Sequence, residues 1–236
     1  MTSGWQKSDL VIVAGRPSMG KTAFAMNMVE HAVLNQERPV LVFSLEMPAS
    51  QLIIRLLSSI GRIDQTHLRT GQLSGADWTL LSCAGQKLKD RPLFIDDTAG
   101  ITPLEIRNRI KQFTRERMET LRQQWLDTHG KDSQPDNDLL YSQAQPGLIM
   151  VDYLQLMSGS NASEGRVQEI SQISRELKNI AREYECPMLA LSQLSRNVEQ
   201  RPNKRPVNSD LRDSGAIEQD ADCLLYTSPS PRDSDS

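Results

Sequence analysis

The sequence predicts an α/β fold with a central, mostly parallel sheet flanked by helices. Short runs of β-branched and aliphatic residues recur along the chain, and stretches with helical spacing of apolar residues separate them. Each run is apolar throughout, without the alternation of a strand that has one face in water, so helices are expected on both faces of the sheet. At 236 residues the chain has the size of one such domain.

The elements follow in order along the chain. Five apolar runs are predicted to form strands, at residues 10–14, 39–44, 92–95, 148–151 and 188–191. Helices are predicted directly after the first strand, over 49–60, and from Pro103 to near Gly130. The third helix is unusually long and highly charged, and a polar loop over 131–138 follows it. We interpret this region as a solvated helical extension, with a partner surface as the less favoured alternative.

Composition excludes several classes of protein. The 27 Lys and Arg against 30 Asp and Glu give a net charge of -3, which argues against a free-standing basic nucleic-acid binder. Any nucleic-acid contact is then expected from a local patch or from a site between subunits. No apolar run approaches the roughly 20 residues that span a bilayer, and the first residues lack the apolar region of a secretory signal. Three cysteines without CxxC spacing argue against a disulfide framework or a zinc site. We expect a cytoplasmic protein without a membrane partner.

The strongest local signal lies between the first strand and the first helix. Residues 15–22 match G-x-x-x-x-G-K-[ST] in the strand-loop-helix context that a phosphate-binding loop (P-loop) requires. Backbone N–H groups of such a loop surround phosphate oxygens, the lysine reaches the β- and γ-phosphates, and the hydroxyl contacts Mg²⁺. The predicted nucleotide-binding residues are Gly15, Arg16, Pro17, Ser18, Met19, Gly20, Lys21 and Thr22.

Three polar residues follow other predicted strands. Asp152 has the form of a Walker B carboxylate, which binds Mg²⁺ directly or through water. Glu46 is placed to polarise an attacking water as a general base, although its spacing suits a helix N-terminal acid equally well. Gln193 is a candidate for sensing the γ-phosphate, on spacing alone. Because the carboxyl ends of parallel strands share one edge, these side chains are expected near the P-loop.

A basic segment follows the fifth strand. Its Pro- and Asn-rich composition without an apolar stripe is compatible with phosphate-backbone contacts to single-stranded nucleic acid. A solvated charged loop explains the same composition and is the favoured interpretation on charge alone. The absence of aromatic residues argues against base stacking as the main mode of binding. The candidate DNA-binding residues are Arg196, Arg201, Lys204, Arg205 and Arg212.

Taken together, residues 1–222 resemble the motor domain of replicative DNA helicases of the DnaB family. The resemblance is carried by GRPSMGKT, FSLEMP, GRIDQTHLRTGQL, PLFIDDTAGIT, LIMVDYLQLM and LALSQLSRNVEQRPNKRPVNSDLRDSGAIEQDAD. It implies a RecA-like ATPase core that works in a hexameric ring on ATP and Mg²⁺, moves 5′ to 3′ on single-stranded DNA, and cooperates with a primase and a helicase loader.

The resemblance also implies a role for each candidate. Lys21 and Thr22 would contact nucleotide and Mg²⁺, Glu46 would be the catalytic carboxylate and Asp152 the Walker B acid. Gln193 would be the γ-phosphate sensor, catalytic together with Glu46 and Lys21, and the segment 196–212 would approach the DNA channel.

The family pattern also sets expectations about the limits of the domain. An ATPase domain truncated at both ends is expected over 1–222, and the charged segment 117–145 is longer than the family usually carries. Residues 223–236 resemble the translation of a sequencing-library adapter, which predicts a non-native tail; a natural disordered tail is the alternative. Two other functions stay open: a RecA-like strand-exchange or regulatory ATPase, and a non-catalytic fragment that binds nucleotide or partner proteins.

Overall fold

The computed structural model describes residues 4–130, 134–159, 165–201, 205–211 and 215–227. Within these ranges, the strands are β1 (Leu10–Gly15), β2 (Val40–Ser44), β3 (Leu93–Asp96), β4 (Leu148–Asp152), β5 (Met188–Gln193) and β6 (Cys223–Tyr226). The helices are α1 (Lys21–Asn35), α2 (Ala49–Gly61), α3 (Gln65–Thr70), α4 (Gly75–Leu88), α5 (Pro103–His129), α6 (Asn137–Ala144), α7 (Arg166–Glu183) and α8 (Gly215–Asp220). Short 3₁₀ turns cover Leu154–Leu156, Arg196–Gln200 and Asn208–Asp210.

The six strands form one sheet in the order β3-β2-β4-β5-β1-β6, and all the strand pairs are parallel. The register aligns Gly15 with Gln193, at the ends of β1 and β5. It likewise aligns Ser44 with Asp152, at the ends of β2 and β4. The carboxyl ends of four central strands therefore meet along one edge, where ligands bind in open α/β sheets. This confirms the predicted fold class.

Two apolar cores cover the two faces of the sheet. On one face, α5 and α7 bury aliphatic side chains such as Ile106, Ile110 and Leu177. On the other face, α1 and α2 bury Val29, Leu52 and others. Because every residue of β1, β2 and β4 is buried, these strands lack the polar alternation of a half-exposed strand, which explains their uninterrupted apolar sequences.

The long helix α5 is confirmed, and it ends at His129 as the sequence predicts. It begins with a capping box in which Thr102 Oγ1 accepts from the Glu105 backbone N–H and Glu105 accepts from the Thr102 N–H. The predicted loop over 131–138 is shorter than expected, because Asp136 caps α6 by accepting from Asp138 and Leu139. Residues 131–133 lie outside the described residues.

Residues 223–226 differ from the predicted tail. The sequence Cys-Leu-Leu-Tyr forms β6, paired with β1 from Val11 and Cys223 onward, and its side chains alternate between the two cores. Four apolar residues in succession satisfy the free hydrogen-bonding edge of β1, so the sheet extends past residue 222. The domain limits and the origin of residues 223–236 stay predictions. None of the helices in the described ranges combines the length and apolar character that crossing a membrane requires.

Candidate nucleotide-binding site

The predicted P-loop connects the buried strand β1 to α1. Ser18 and Gly20 adopt positive φ angles of 64° and 75°, which turn the loop back onto the start of the helix. The Gly20 carbonyl accepts from the Phe24 N–H at 2.9 Å, so regular helical bonding begins at once. The free N–H groups and the positive dipole end of this 15-residue helix point into the loop, an arrangement that binds anionic oxygens.

Gly15 is required at the start of the loop by the space around it. A Cβ atom at this position would lie 1.9 Å from Thr227 Oγ1 and 3.1 Å from Lys21 Cγ. Either contact is closer than van der Waals distance, so any larger residue displaces the loop or its neighbours. Gly15 also accepts a hydrogen bond from the Leu194 N–H at 3.2 Å, which joins the loop to the chain beyond β5.

Lys21 lies half-buried at the first position of α1. Its Nζ donates to the Arg16 carbonyl at 3.1 Å, across the mouth of the loop. Burial lowers the pKa of the ammonium group, while the carboxylates of Asp152 and Glu46 act in the opposite direction. The partly buried ammonium group of Lys21 is therefore placed to bind an anion, and phosphate oxygens are anionic groups of this kind.

Asp152 occupies the end of β4 and is only 1% exposed. Its Oδ2 accepts from Thr22 Oγ1 at 2.8 Å. Its Oδ1 is buried and has no hydrogen-bond partner among the described residues. Burial raises the pKa of this carboxyl to about 6 and the Glu46 carboxylate adds to the shift, whereas the Thr22 hydrogen bond and the charges of Lys21 and Arg55 oppose it.

A buried carboxylate oxygen without a partner is costly, and a bound cation removes that cost. Thr22 and Asp152 together present one hydroxyl and one carboxylate, which are oxygen donors of the kind that Mg²⁺ prefers. No group of three or more His, Cys, Asp or Glu side chains suited to a metal occurs in the described part of the chain. The pair therefore fits a metal that completes its coordination with water and phosphate oxygens.

Glu46 lies in the turn after β2, exposed to solvent. Ser44 shapes this turn, since its Oγ donates to the Met47 carbonyl at 2.7 Å. Because Ser44 pairs with Asp152, the turn lies beside the Walker B position, and the Glu46 charge acts on both Asp152 and Lys21. Helix α2 begins only at Ala49, so Glu46 is not in its first turn. The structure therefore supports the site interpretation over the helix-acid interpretation, and the catalytic role stays a prediction.

Gln193 is the last residue of β5 and lies beside Gly15 in the sheet. Its backbone N–H donates to Gln155 Oε1 at 3.1 Å, and Gln155 Nε2 donates to Ser192 Oγ at 2.9 Å. Gln155 thereby fixes the end of β5, while the partly exposed Gln193 lies at the P-loop edge of the sheet. The position suits a phosphate sensor, and that role stays a prediction.

Sequence reasoning missed two residues of this site, Arg55 and Gln155. Arg55 belongs to α2, its charge acts on Asp152, and its Nε is buried without a hydrogen-bond partner among the described residues. A signal was available, because Arg55 is a single cation within the apolar run Leu-Ile-Ile-Arg-Leu-Leu. Gln155 carries no such signal, since its contacts depend on how the 3₁₀ turn after β4 meets β5.

In the basic segment, one predicted DNA-binding residue is paired with a buried carboxylate, and the DNA-binding role of the segment stays a prediction. Arg196 and Arg205 are exposed, whereas the Arg201 guanidinium is bound to both carboxylate oxygens of Asp210, which is 1% exposed. Arg201 also donates to the Arg205 carbonyl at 3.3 Å. The structure therefore assigns Arg201 a contact that braces the segment, because its guanidinium already has a buried anionic partner. The predicted DNA-binding residues Lys204 and Arg212 lie outside the described residues.

Comparisons with known proteins agree with this geometry. The model of the DnaB-like helicase C terminal domain family matches residues 1–127 and 137–233. The chain is 49% identical over 227 residues to the replicative DNA helicase DnaB of Pasteurella multocida, covering 95% of this chain and 43% of that protein. It is 47% identical over 226 residues to the replicative DNA helicase DnaB of Buchnera aphidicola (subspecies Acyrthosiphon pisum), covering 95% of this chain and 44% of that protein.

Two solved structures share the fold. A DnaB-like replicative helicase, studied together with its interactions with primase, matches with a TM-score of 0.81 and 35% identity over 100% of this chain and 51% of its own. A second structure, of an ATPase domain, matches with a TM-score of 0.76 and 37% identity over 96% of this chain and 71% of its own. The chain spans less than half the length of the two curated relatives. From the family match, the relatives and the shared fold, the chain belongs to the family of DnaB-like helicase C-terminal domains.

Proposed function

We propose that this chain is the ATP-driven motor domain of a replicative DNA helicase, which couples ATP hydrolysis to 5′ to 3′ movement on single-stranded DNA and to unwinding at the replication fork. The observation that carries the proposal is the Thr22–Asp152 hydrogen bond beside the P-loop, with the second carboxylate of Glu46 at the next strand end. Membership in the DnaB-like family supports the helicase assignment.

The chain would hold ATP at the loop of residues 15–22. Backbone N–H groups at the start of α1 would donate to the phosphate oxygens, and Lys21 Nζ would leave the Arg16 carbonyl to contact the terminal phosphates. Lys21 is half-buried at the start of α1, so its ammonium group already lies at the mouth of the loop before nucleotide arrives. Binding then requires that Nζ exchange the Arg16 carbonyl for phosphate oxygens.

Thr22 and Asp152 would hold Mg²⁺, to which Asp152 presents a buried carboxylate oxygen that no described residue hydrogen-bonds. Bound there, the ion would neutralise charge on the phosphate oxygens. Glu46, in its exposed turn, would orient and polarise the attacking water. Gln193, at the edge of the loop beside Gly15, would contact the γ-phosphate and transmit its presence to the segment that follows β5.

The exposed cations of the basic segment would contact the phosphate backbone of single-stranded DNA. One chain carries a net charge of -3, so its overall charge does not favour binding to a polyanion, and the local basic segment would supply the contacts. A homo-hexameric ring in the full-length protein would direct six such segments toward one strand. A primase and a helicase loader are the further partners that we propose for the full-length protein, and a structural relative has been studied with its primase.

The experiment that tests the proposal is ATP hydrolysis at low salt, with and without single-stranded DNA. Lys21→Ala serves as the inactive variant, and Lys87→Ala on the exposed face of α4 is the matched control with the same charge change. We expect DNA-stimulated phosphate release from the unmodified chain and from Lys87→Ala, reduced about 10³-fold in Lys21→Ala. Absence of both nucleotide binding and DNA binding in the unmodified chain would contradict the proposal.

A further inference from the structure

Arg16 occupies a position that the P-loop motif leaves unspecified, yet it makes the most extensive side-chain contacts of the loop. Its Nη1 donates to the Leu194 carbonyl at 2.9 Å, and its Nε donates to Glu199 Oε1 at 2.7 Å. The Arg16 side chain is only 14% exposed, whereas the Glu199 side chain is 56% exposed. Phosphate binding by the motif does not require this side chain, so its contacts call for a separate explanation.

These contacts join the P-loop to the start of the basic segment. Both backbone groups of Leu194 are bound by the loop, the N–H by the Gly15 carbonyl and the carbonyl by Arg16. Glu199 extends the connection by one further turn, into the 3₁₀ turn Arg196–Gln200 that carries the exposed Arg196. Two consecutive residues of the loop therefore hold the first six residues after β5.

The connection continues into the rest of the segment. Leu194 forms an antiparallel bridge with Leu211, and the Ser195 N–H donates to the Asp210 carbonyl at 2.7 Å. Asp210 in turn binds the Arg201 guanidinium. The P-loop is thus connected through Leu194 and Ser195 to Leu211 and Asp210, and Asp210 is connected in turn to Arg201.

The same loop residue is also linked to the phosphate-contacting lysine. The Arg16 carbonyl accepts from Lys21 Nζ at 3.1 Å. A terminal phosphate that captures this ammonium group removes the donor from Arg16, so occupancy of the site changes the hydrogen bonding of the residue that holds the basic segment. This exchange of partners would give the connection a second hydrogen-bonding arrangement, and energetic coupling between two sites requires two such arrangements.

We infer that Arg16 and Glu199 form a positioning pair that couples occupancy of the P-loop to the geometry of residues 194–201, and through it to the affinity for single-stranded DNA. The DNA part of this inference rests on the proposed function. By linkage, if bound nucleotide changes the affinity for DNA by some factor, bound DNA changes the affinity for nucleotide by the same factor. Such factors are commonly about 5- to 150-fold.

The test compares the dissociation constant of a fluorescent oligo-dT, with and without a non-hydrolysable ATP analogue, in the full chain. Glu199→Ala removes the acceptor, and Glu199→Gln keeps an oxygen acceptor but removes the charge. Glu116→Ala, an exposed α5 glutamate that accepts from Gln112, is the matched control. Loss of one negative charge strengthens DNA binding in all conditions, so the informative quantity is the ratio of the two dissociation constants.

We expect a ratio that departs from 1 by at least about 5-fold in the unmodified chain and in Glu116→Ala. It should fall within about 2-fold of 1 in Glu199→Ala and take an intermediate value in Glu199→Gln. Equal ratios in the unmodified chain and in Glu199→Ala, with nucleotide and DNA both bound, would overturn the inference and leave the proposed function intact.

Hydrogen exchange at amides 194–201 gives a readout that does not need DNA. We expect the nucleotide analogue to change this exchange in the unmodified chain and to leave it unchanged in Glu199→Ala. A chain that binds the analogue without any such change overturns the coupling. A chain that binds no analogue in either measurement overturns the inference together with the proposed function, and that pattern distinguishes the two failures.

Discussion

The P-loop edge of the sheet and the basic segment after β5 differ in what determines the role of each residue. At the P-loop edge, each candidate residue stands at or just after the end of a buried strand, and the strand register brings Gly15, Gln193 and Asp152 to one side. In the basic segment, the described cations lie in a 3₁₀ turn or in irregular backbone, and the role of each depends on the partner that it meets. Arg201 meets the buried Asp210, whereas Arg196 is exposed.

The comparison shows where a sequence motif is informative. A motif anchored on strands inherits its geometry from the sheet, because the parallel ladder fixes which strand ends are neighbours. The cations of the basic segment are not placed by a strand ladder. The same residue type therefore braces the fold at Arg201 and is exposed to solvent at Arg196. The following predictions test this contrast, from the largest expected effect to the smallest.

Glu46→Gln tests the strand-end region most severely. We expect ATP turnover to fall by about 10²- to 10⁴-fold, because a neutral amide cannot accept a proton from the attacking water. Binding of a fluorescent ATP analogue should be retained, because Glu46 is exposed and no helix begins at it. Glu37→Gln, at an exposed position before β2, is the control. Turnover within a few-fold of the unmodified chain would exclude Glu46 as the general base.

Asp152→Asn should remove activity while stabilising the nucleotide-free fold. Because burial raises the folded-state pKa of Asp152 to about 6 from its ordinary 3.8, the folded chain holds an extra proton between these pH values. Stability is therefore lost as pH rises through this window, and ionised Asp152 costs about 3 kcal/mol above pH 6. The isosteric amide carries no such cost.

Urea denaturation at two pH values checks this prediction. We expect Asp152→Asn to exceed the unmodified chain by up to about 3 kcal/mol in free energy of unfolding at pH 7. The difference should nearly vanish at pH 3.5, where Asp152 is protonated in the folded chain and mostly protonated in the unfolded chain. A variant that is less stable than the unmodified chain at pH 7 would show that the carboxylate is compensated by contacts other than those seen here.

Arg201→Ala should act on stability. Removing the guanidinium leaves Asp210 buried with the Val207 N–H as a remaining donor, at 2.8 Å. Breaking a buried pair costs about 3–5 kcal/mol, and the one-third exposure of Arg201 reduces our expectation to about 2 kcal/mol. Urea denaturation measures the loss. A free energy of unfolding that Arg201→Ala leaves unchanged would show that Arg201 does not brace the segment and is a candidate for contacting DNA.

Arg196→Ala is the matched counterpart on the same segment. We expect less than about 0.5 kcal/mol change in stability, because the side chain is exposed. The expected effect is on single-stranded DNA, where loss of one phosphate contact weakens binding uniformly across sequences and reduces the salt dependence by about one ion. Titrations at several salt concentrations measure this, with Arg175→Ala on α7 as the control. An unchanged salt dependence would place Arg196 outside the DNA contact.

The sequence predicted much of this molecule because the informative residues lie close together along the chain. Spacing within residues 15–22 predicts the loop, and uninterrupted apolar runs predict parallel strands, of which all five are confirmed. The prediction that they are buried fails for β3, which lies at the edge of the sheet and is only partly buried. Strand ends were underestimated by one or two residues because polar residues such as Asp152 and Gln193 still pair in the sheet. The sixth strand was missed because the resemblance of residues 223–236 to an adapter translation outweighed the short apolar run at their start, and the edge of β1 that pairs with this run is evident only in the folded chain.

The sequence by itself determined the fold class, the phosphate-binding loop and the chemical types of the site, because local spacing specifies strands, helices and the turn between them. Only the tertiary structure decided which charges are paired. The Arg201–Asp210 pair, the buried oxygen of Asp152 and the Arg16–Glu199 contact each join distant elements, or depend on burial that no local pattern encodes. A charged side chain is defined by its solvent exposure and its nearest counter-charge, and both arise only when the chain is folded.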